Sequence, residues 1–303
     1  MNQGIDFAEL KASCALPSPQ GVGLAVIRLC QRENVPLAEV AKQIQADPVL
    51  AGRIIKIANL TSRNQTRPIA SVTIEVLILI GIHAVRQVVL GISLVAAHRQ
   101  GGCGAFDYEQ FWARSVAMAC ATQMLGTVIH VAPVAELFTC GLVAGIGRLG
   151  LATARPQAYS RLLEEYADKP QRELTAAETS LFHFNHLSLA AAMMLDWNIP
   201  RLFSDAVLFH EDPQTSPFPE GARQQRLALM LHMAARIADV CVAQDAAREC
   251  LIPSLYETGA AVGLDAEQVA DVVAAAARDW LEWGNVMQVQ TRALPPLPRM
   301  PAN

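Results

Sequence analysis

The sequence contains no pair of cysteines at CxxC spacing, and its seven cysteines (Cys14, Cys30, Cys103, Cys120, Cys140, Cys241 and Cys250) are an odd number. Neither a disulfide framework nor a structural zinc site is indicated, and the thiols read as small buried hydrophobes in a reducing compartment. Strong charge of either sign is also missing. The net charge of -4 and pI of about 6.0 give no overall field toward nucleic acid or an anionic membrane, although a local basic patch remains compatible with them. A long uninterrupted apolar run is missing too, despite a mean hydropathy of +0.25. A spanning helix needs roughly 20 apolar residues. The best candidate, Ile69 to Ala97, is broken by Glu75, His83 and Arg86, and its longest stretch free of charge and histidine is Gln87 to Ala97. Met1 to Leu10 has no positive segment followed by an apolar one, so no signal peptide is indicated. No G-x-x-x-x-G-K phosphate loop occurs, and Ser13 and Ser18 lack a nucleophile-elbow context. The expectation is a soluble, cytoplasmic protein without a cofactor.

What is present is an apolar fraction of 52% over 303 residues, enough for a substantial core, arranged with helical periodicity. Asp47 is an N-cap residue and Pro48 suits the first helical position, after which Leu50, Ile54, Ile55 and Ala58 form one stripe. Asn59 to Pro68 is polar and reads as a loop. Ile69 to Ala97 is rich in β-branched residues but reads as two helices joined at Gly81, because no hairpin signals flank it. His98 to Ala105, with three glycines, is a connector. Phe106 to Ile129 is a long helix whose Ser115, Ala119, Thr122 and Gly126 invite close approach by a neighbour. Val134 to Leu151 follows, ended by Arg155-Pro156. Helices are expected at Gln157 to Tyr166, Thr175 to Phe184 (opened by a Thr175/Glu178 capping box), His186 to Trp197, Arg201 to His210, Ala222 to Gln244 and Ala266 to Trp283. In the last, Val269, Val272, Val273 and Ala276 form an apolar stripe, read as a core face. The segment from Leu294 is proline-rich and reads as extended or disordered.

Several ordered pieces then stand out. Leu16-Pro17-Ser18-Pro19 precedes Ala46-Asp47-Pro48-Val49-Leu50, Lys56-Ile57-Ala58-Asn59 and Arg67-Pro68-Ile69-Ala70-Ser71-Val72. Leu79-Ile80-Gly81-Ile82, Phe111-Trp112-Ala113-Arg114-Ser115 and the run from Gly141 to Leu149 follow. His186, Trp197-Asn198-Ile199-Pro200 and Phe209-His210 complete the set. Their order and spacing, over about Leu10 to Pro213, resemble the HDOD family, relatives of the HD-type metal phosphohydrolases. The resemblance implies an all-α, multi-helix architecture. An N-terminal helical lobe would cover 10–97, a connector 98–105 and an HD-like lobe 106–213. A helical extension at 222–290 would pack on the HD-like lobe, with a tail at 294–303.

HD phosphohydrolases hold a divalent ion with imidazole and carboxylate groups, which lower the pKa of bound water. The resemblance would place such groups at Arg114, at the pair Ala144-Gly145, at His186, at the pair His210-Glu211 and at Asp239. Here Arg114 is itself a cation, and Ala144 and Gly145 carry no donor. Too few ligands remain for a tight metal site, so neither metal nor catalysis is expected. Arg114 either replaces the metal's charge, pairing with Asp239 or Glu211 or binding an anionic ligand, or is a solvent-facing helix arginine. His186 and His210 are either a remnant ligand pair or hydrogen-bonded core residues. His130 and His183 read as structural, and Gly145 and Gly147 as sites of close helix packing.

The resemblance implies a bacterial regulatory protein that signals through a ligand or a protein partner, at the vacated pocket or in a groove between the lobes. Two other classes stand beside it. One is a residual metal-dependent phosphohydrolase acting on a nucleotide. The other is a nucleic-acid-binding regulator using Arg53, Lys56, Arg63 and Arg67, a cluster that more often forms a solvated face. No membrane partner is expected.

Overall fold

The computed structural model describes residues 7, 10, 16–18, 21–30, 32, 34–61 and 68–297. Among these the chain is all-helical, with no strand. The N-terminal helices are α1 (Gly21–Leu29), α2 (Leu37–Gln45), α3 (Pro48–Thr61), α4 (Ile74–Ile80) and α5 (Ile82–Ala97). There follow α6 (Tyr108–Ile129), α7 (Val134–Val143), α8 (Ile146–Ala154), α9 (Pro156–Glu165), α10 (Gln171–Phe182), α11 (His186–Asp196) and α12 (Arg201–Phe209). A 3-10 turn at Pro213–Thr215 leads to α13 (Arg223–Val242), α14 (Asp245–Ala261) and α15 (Ala266–Met287).

Local chemistry accounts for the element ends. Asp47 accepts hydrogen bonds from the backbone N–H groups of Val49 and Leu50 at 3.0 and 3.1 Å, capping α3. Asn59, near the other end of α3, accepts from Ile69 N and donates to Ile69 O at 2.7 and 2.9 Å, which ties the returning chain to the helix. Gly81 adopts φ +85, which glycine tolerates without strain, and α5 leaves α4 at 94°. Asp107 caps α6, and Asn185 with Ser188 forms a capping box on α11.

The long helix α6 lies at the centre, packed against α7, α13 and α15. A Cβ on Gly141 would lie 2.7 Å from Met118 O and 2.8 Å from Ala119 Cα, so α6 and α7 cross nearly backbone to backbone. The α15 stripe of Val269, Val272, Val273 and Ala276 is buried, and Trp280 Nε1 donates to Ala113 O of α6 at 2.9 Å. Arg99 donates to the carbonyls of Met287 and Gln288 at 2.8 and 2.7 Å, a favourable place for a cation at the C-terminus of α15. Glu136–Ala154 is long and apolar enough to cross a membrane, but it spans the break between α7 and α8, and 78% of it is buried inside the protein.

Several expectations need correction. The segment read as one stretch from Val134 to Leu151 divides at Ala144-Gly145 into α7 and α8. The end expected at Arg155-Pro156 holds, since α8 closes at Ala154, and Pro156 also opens α9, where its missing N–H costs nothing. The polar loop expected from Asn59 begins later, because α3 continues to Thr61; residues 62–67 lie outside the described residues. Thr175 and Glu178 form no capping box, since α10 starts four residues earlier and Thr175 Oγ1 donates to Gln171 O at 3.0 Å. Helix α14 was not expected at all. Arg53 is 8% exposed and donates to Gln288 Oε1, so it is not part of an exposed basic face with Lys56. Arg63, Arg67, Ser13, Cys14 and the last residues of the proline-rich tail, 298–303, lie outside the described residues. The described part of that tail is held in place, with Arg248 donating to Pro295 O.

Candidate functional site

The capped N-terminus of α11 places His186 against Glu178 of α10. Glu178 is fully buried. Its Oε2 accepts from His186 N at 2.9 Å and from His186 Nδ1 at 2.6 Å, and its Oε1 accepts from the Tyr159 hydroxyl at 3.2 Å. A carboxylate is well placed at a helix N-terminus, where the backbone N–H groups point outward. On its other side the imidazole donates from Nε2 to Glu211 Oε1 at 3.0 Å, and Arg148 Nη2 donates to the same oxygen at 2.8 Å. Carboxylate, imidazolium, carboxylate and guanidinium therefore alternate along one chain of hydrogen bonds, and their charges cancel.

The electrostatics follow from this order. Burial and the Arg148 charge both disfavour a protonated His186, but Glu211 and the bonds from both carboxylates outweigh them, so its pKa is raised. Burial opposes the charge on Glu211, yet His186 and Arg148 hold its carboxyl far below the usual range.

A second pair lies alongside. Arg114 of α6 donates from Nε to Asp239 Oδ1 of α13 at 2.7 Å, and Arg236 Nη1 is 3.7 Å from the other oxygen. Arg114, Arg148, Glu211, Asp239, Arg236 and Arg172 share the wall of a cavity of about 600 Å³. A smaller cavity of about 230 Å³ adjoins Arg114 and Arg148 on the side of Gly145, Phe111 and Tyr159. A Cβ on Gly145 would make ordinary van der Waals contact with Phe111 Cε2 at 3.5 Å.

Of the residues singled out in the sequence, Arg114, Glu211 and Asp239 meet on the larger cavity, and Gly145 faces the smaller one. His186 lies beneath the wall, bonded to Glu211. His210 is buried, donates from Nδ1 to Val207 O at 2.7 Å, and lines neither cavity. Ala144 is buried in the turn between α7 and α8 and also lines neither. Sequence reasoning missed Arg148 and Glu178. Arg148 lies three residues after Gly145 in the first turn of α8, inside the run from Gly141 to Leu149 that was read for its glycines. Glu178 stands at capping-box spacing from Thr175, which hides its role in the sequence.

Burial pushes the His210 pKa down to about 4 from the ordinary 6.5. Between these values the unfolded chain binds the proton and the folded chain does not. The stability His210 contributes is complete above pH 6.5 and is lost as pH falls toward 4; His186, with its raised value, contributes in the opposite sense, losing stabilisation as pH rises through its folded pKa. The expected result is a Tm that falls between pH 7 and pH 5, and a shallower fall in His210→Asn, which keeps a donor for Val207 O. Parallel slopes for the two proteins would contradict the assignment.

Comparisons with known proteins bear on the family and the fold. The HDOD domain family model matches residues 16–213. The MmoQ response regulator of Methylococcus capsulatus str. Bath is 36% identical, with 85% of this chain and 97% of that chain covered and a TM-score of 0.53. An HDOD domain protein of unknown function from Geobacter sulfurreducens is 18% identical, with 92% and 97% covered and a TM-score of 0.65. A candidate phosphohydrolase from Shewanella amazonensis SB2B is 21% identical, with 92% and 97% covered and a TM-score of 0.69; at these identities the last two show likeness of fold alone. No curated protein matches the chain. With a family match over more than half of its length, on an all-helical fold, the chain belongs to the HDOD domain family.

Proposed function

We propose that this protein is a non-catalytic signalling regulator, acting through a small ligand or a protein partner at the altered HD-type pocket. The observation that carries the reading is the Arg114–Asp239 pair at 2.7 Å, which fixes a guanidinium at the position where the family resemblance would put a metal-binding histidine. The residues present do not fit a divalent ion. Arg114 repels it, Ala144 and Gly145 offer no donor, and both ring nitrogens of His186 are committed to carboxylates. Kinship with the HDOD family and likeness to a response regulator support the signalling role.

Signalling by such a pocket requires a ligand with different affinity for two states of the protein. A second binding place is the groove between α1 and α5 on one side and α11 on the other. It has a volume of about 530 Å³ and is lined by Ile27, Arg28, Leu90 and Trp197. Arg86 spans it, donating to Trp197 O at 3.1 Å. The competing reading as a nucleic-acid binder loses support from the burial of Arg53.

The test is a phosphodiesterase assay of the full chain on bis(p-nitrophenyl) phosphate with added Mn²⁺ or Mg²⁺. Turnover equal to buffer is the expected result. Metal-dependent turnover abolished by Asp239→Ala would establish the residual-hydrolase reading instead.

A further inference from the structure

We propose that the 600 Å³ cavity is a binding site for a small organic phosphate, its anionic head held by Arg114, Arg236 and Arg172; this rests on the regulatory reading above and specifies the class of ligand. The argument is one of hydrogen-bond supply. A guanidinium carries five N–H donors and no acceptor. Among the described residues, Arg114 donates from Nε and Arg148 from Nη2, and no other hydrogen bond engages either guanidinium. Arg236 reaches Asp239 at 3.7 Å, beyond hydrogen-bond distance, and its Nε is buried with no partner. Arg172 makes no hydrogen bond or ion pair among the described residues.

Four guanidinium groups on the wall face three carboxylates, Glu211, Asp239 and the exposed Asp212. Glu211 is shared by His186 and Arg148, and Asp239 by Arg114 and Arg236. An orphaned buried donor such as Arg236 Nε calls for a partner. A ligand with several anionic oxygens supplies what four guanidinium groups lack, and the planar fork of arginine matches phosphate. Leu187, Leu208, Phe209 and Ala235 line the rest of the cavity, so the ligand carries an apolar body beside its charge.

Asp239 is then a built-in competitor. It occupies Arg114 in the absence of ligand, and a phosphate taking its place on Arg114 loosens the pair between α6 and α13. Ligand occupancy is thereby coupled to the packing of α13 and the helices that follow it.

The experiment is isothermal titration of the full chain with phenyl phosphate, inorganic phosphate and benzoate at constant ionic strength. Phenyl phosphate is expected to bind more tightly than either of the others. Arg236→Gln and Arg172→Gln are each expected to weaken it by about tenfold, a charge-assisted contact's worth. Asp239→Asn, which removes the competitor, is expected to strengthen it. Circular dichroism of each variant establishes that it is folded, and the Arg172 variant, altered on an exposed side chain, is the safeguard. Absence of binding at about 10 mM, an affinity in the weakest range, overturns the proposal, as does equal affinity in all variants or benzoate binding as tightly as phenyl phosphate. These failures leave the non-catalytic reading intact, whereas metal-dependent hydrolysis of the probe would overturn that reading and keep the site.

Discussion

Gly147→Ala is expected to cost about 3 kcal/mol or more, at the upper end of what overpacking does. On an exposed helix the same change would stabilise by roughly 1 kcal/mol, because alanine is the better helix former. Here the sign reverses. A Cβ on Gly147 would lie 1.9 Å from His186 O, 2.7 Å from Ala190 N and 2.8 Å from His186 C. All three atoms belong to the backbone of α11, so no rotamer change relieves the clash and the helix itself must move. That movement pulls His186 away from Glu178 and Glu211, so the charge chain beneath the cavity is lost along with stability. Gly150, one turn further along α8, is the control. Its Cβ would meet the ends of flexible side chains, Leu189 Cδ2 at 2.8 Å and Met193 Sδ at 3.3 Å. Gly150→Ala is expected to cost about 1 kcal/mol, the low end of overpacking. Thermal denaturation of the two variants decides the matter; a Tm for Gly147→Ala equal to that of the unaltered protein would contradict the close crossing of α8 and α11.

Glu178→Gln is expected to have an effect of the same order, about 3 kcal/mol, the scale of breaking a buried ion pair from one side. The carboxylate accepts three hydrogen bonds, from His186 N, His186 Nδ1 and the Tyr159 hydroxyl, and none of its surface meets solvent. An amide presents one oxygen and turns two N–H donors toward groups that are themselves donors. The loss of charge also removes one of the two groups that keep His186 protonated. Two measurements are therefore linked: Tm falls, and the NMR titration of the His186 ring moves to lower pH. Tyr159→Phe, which removes only the weakest of the three bonds, is expected to cost about 1 kcal/mol. A Glu178→Gln protein that is less stable but whose His186 titrates unchanged would show that the carboxylate acts through packing and not through charge.

Much of the fold is written in local signals. Asp47-Pro48 starts α3, Gly81 separates α4 from α5, and the small residues of α6 mark where α7 approaches. The helix that escaped notice, α14, shows why such signals fail. Its buried face is Arg248, Ile252, Leu255 and Gly259, a correct helical spacing in which only two members are hydrophobic, and Pro253 sits inside it. The candidate site divides in the same way. Arg114 and Asp239 are singled out by the family resemblance alone, and the structure pairs them although 125 residues separate them. Arg148 and Glu178 belong to no pattern: one lies among glycines and the other mimics a helix cap, and only the folded chain reveals that both lead to His186. A partnership between a glutamate and a histidine eight residues later depends on the turn at His183, which takes φ +66, and on the angle at which α11 leaves it.

The most direct test of a pocket filled by arginine–carboxylate pairs is the metal content of the purified full chain, measured by elemental analysis alongside its Tm with and without a chelator. The account predicts far less than one divalent ion per chain and the same Tm in both conditions, because guanidinium groups supply the positive charge of the site. A stoichiometric transition metal together with a Tm that drops on chelation would mean that other side chains have rebuilt a metal centre, and would contradict it.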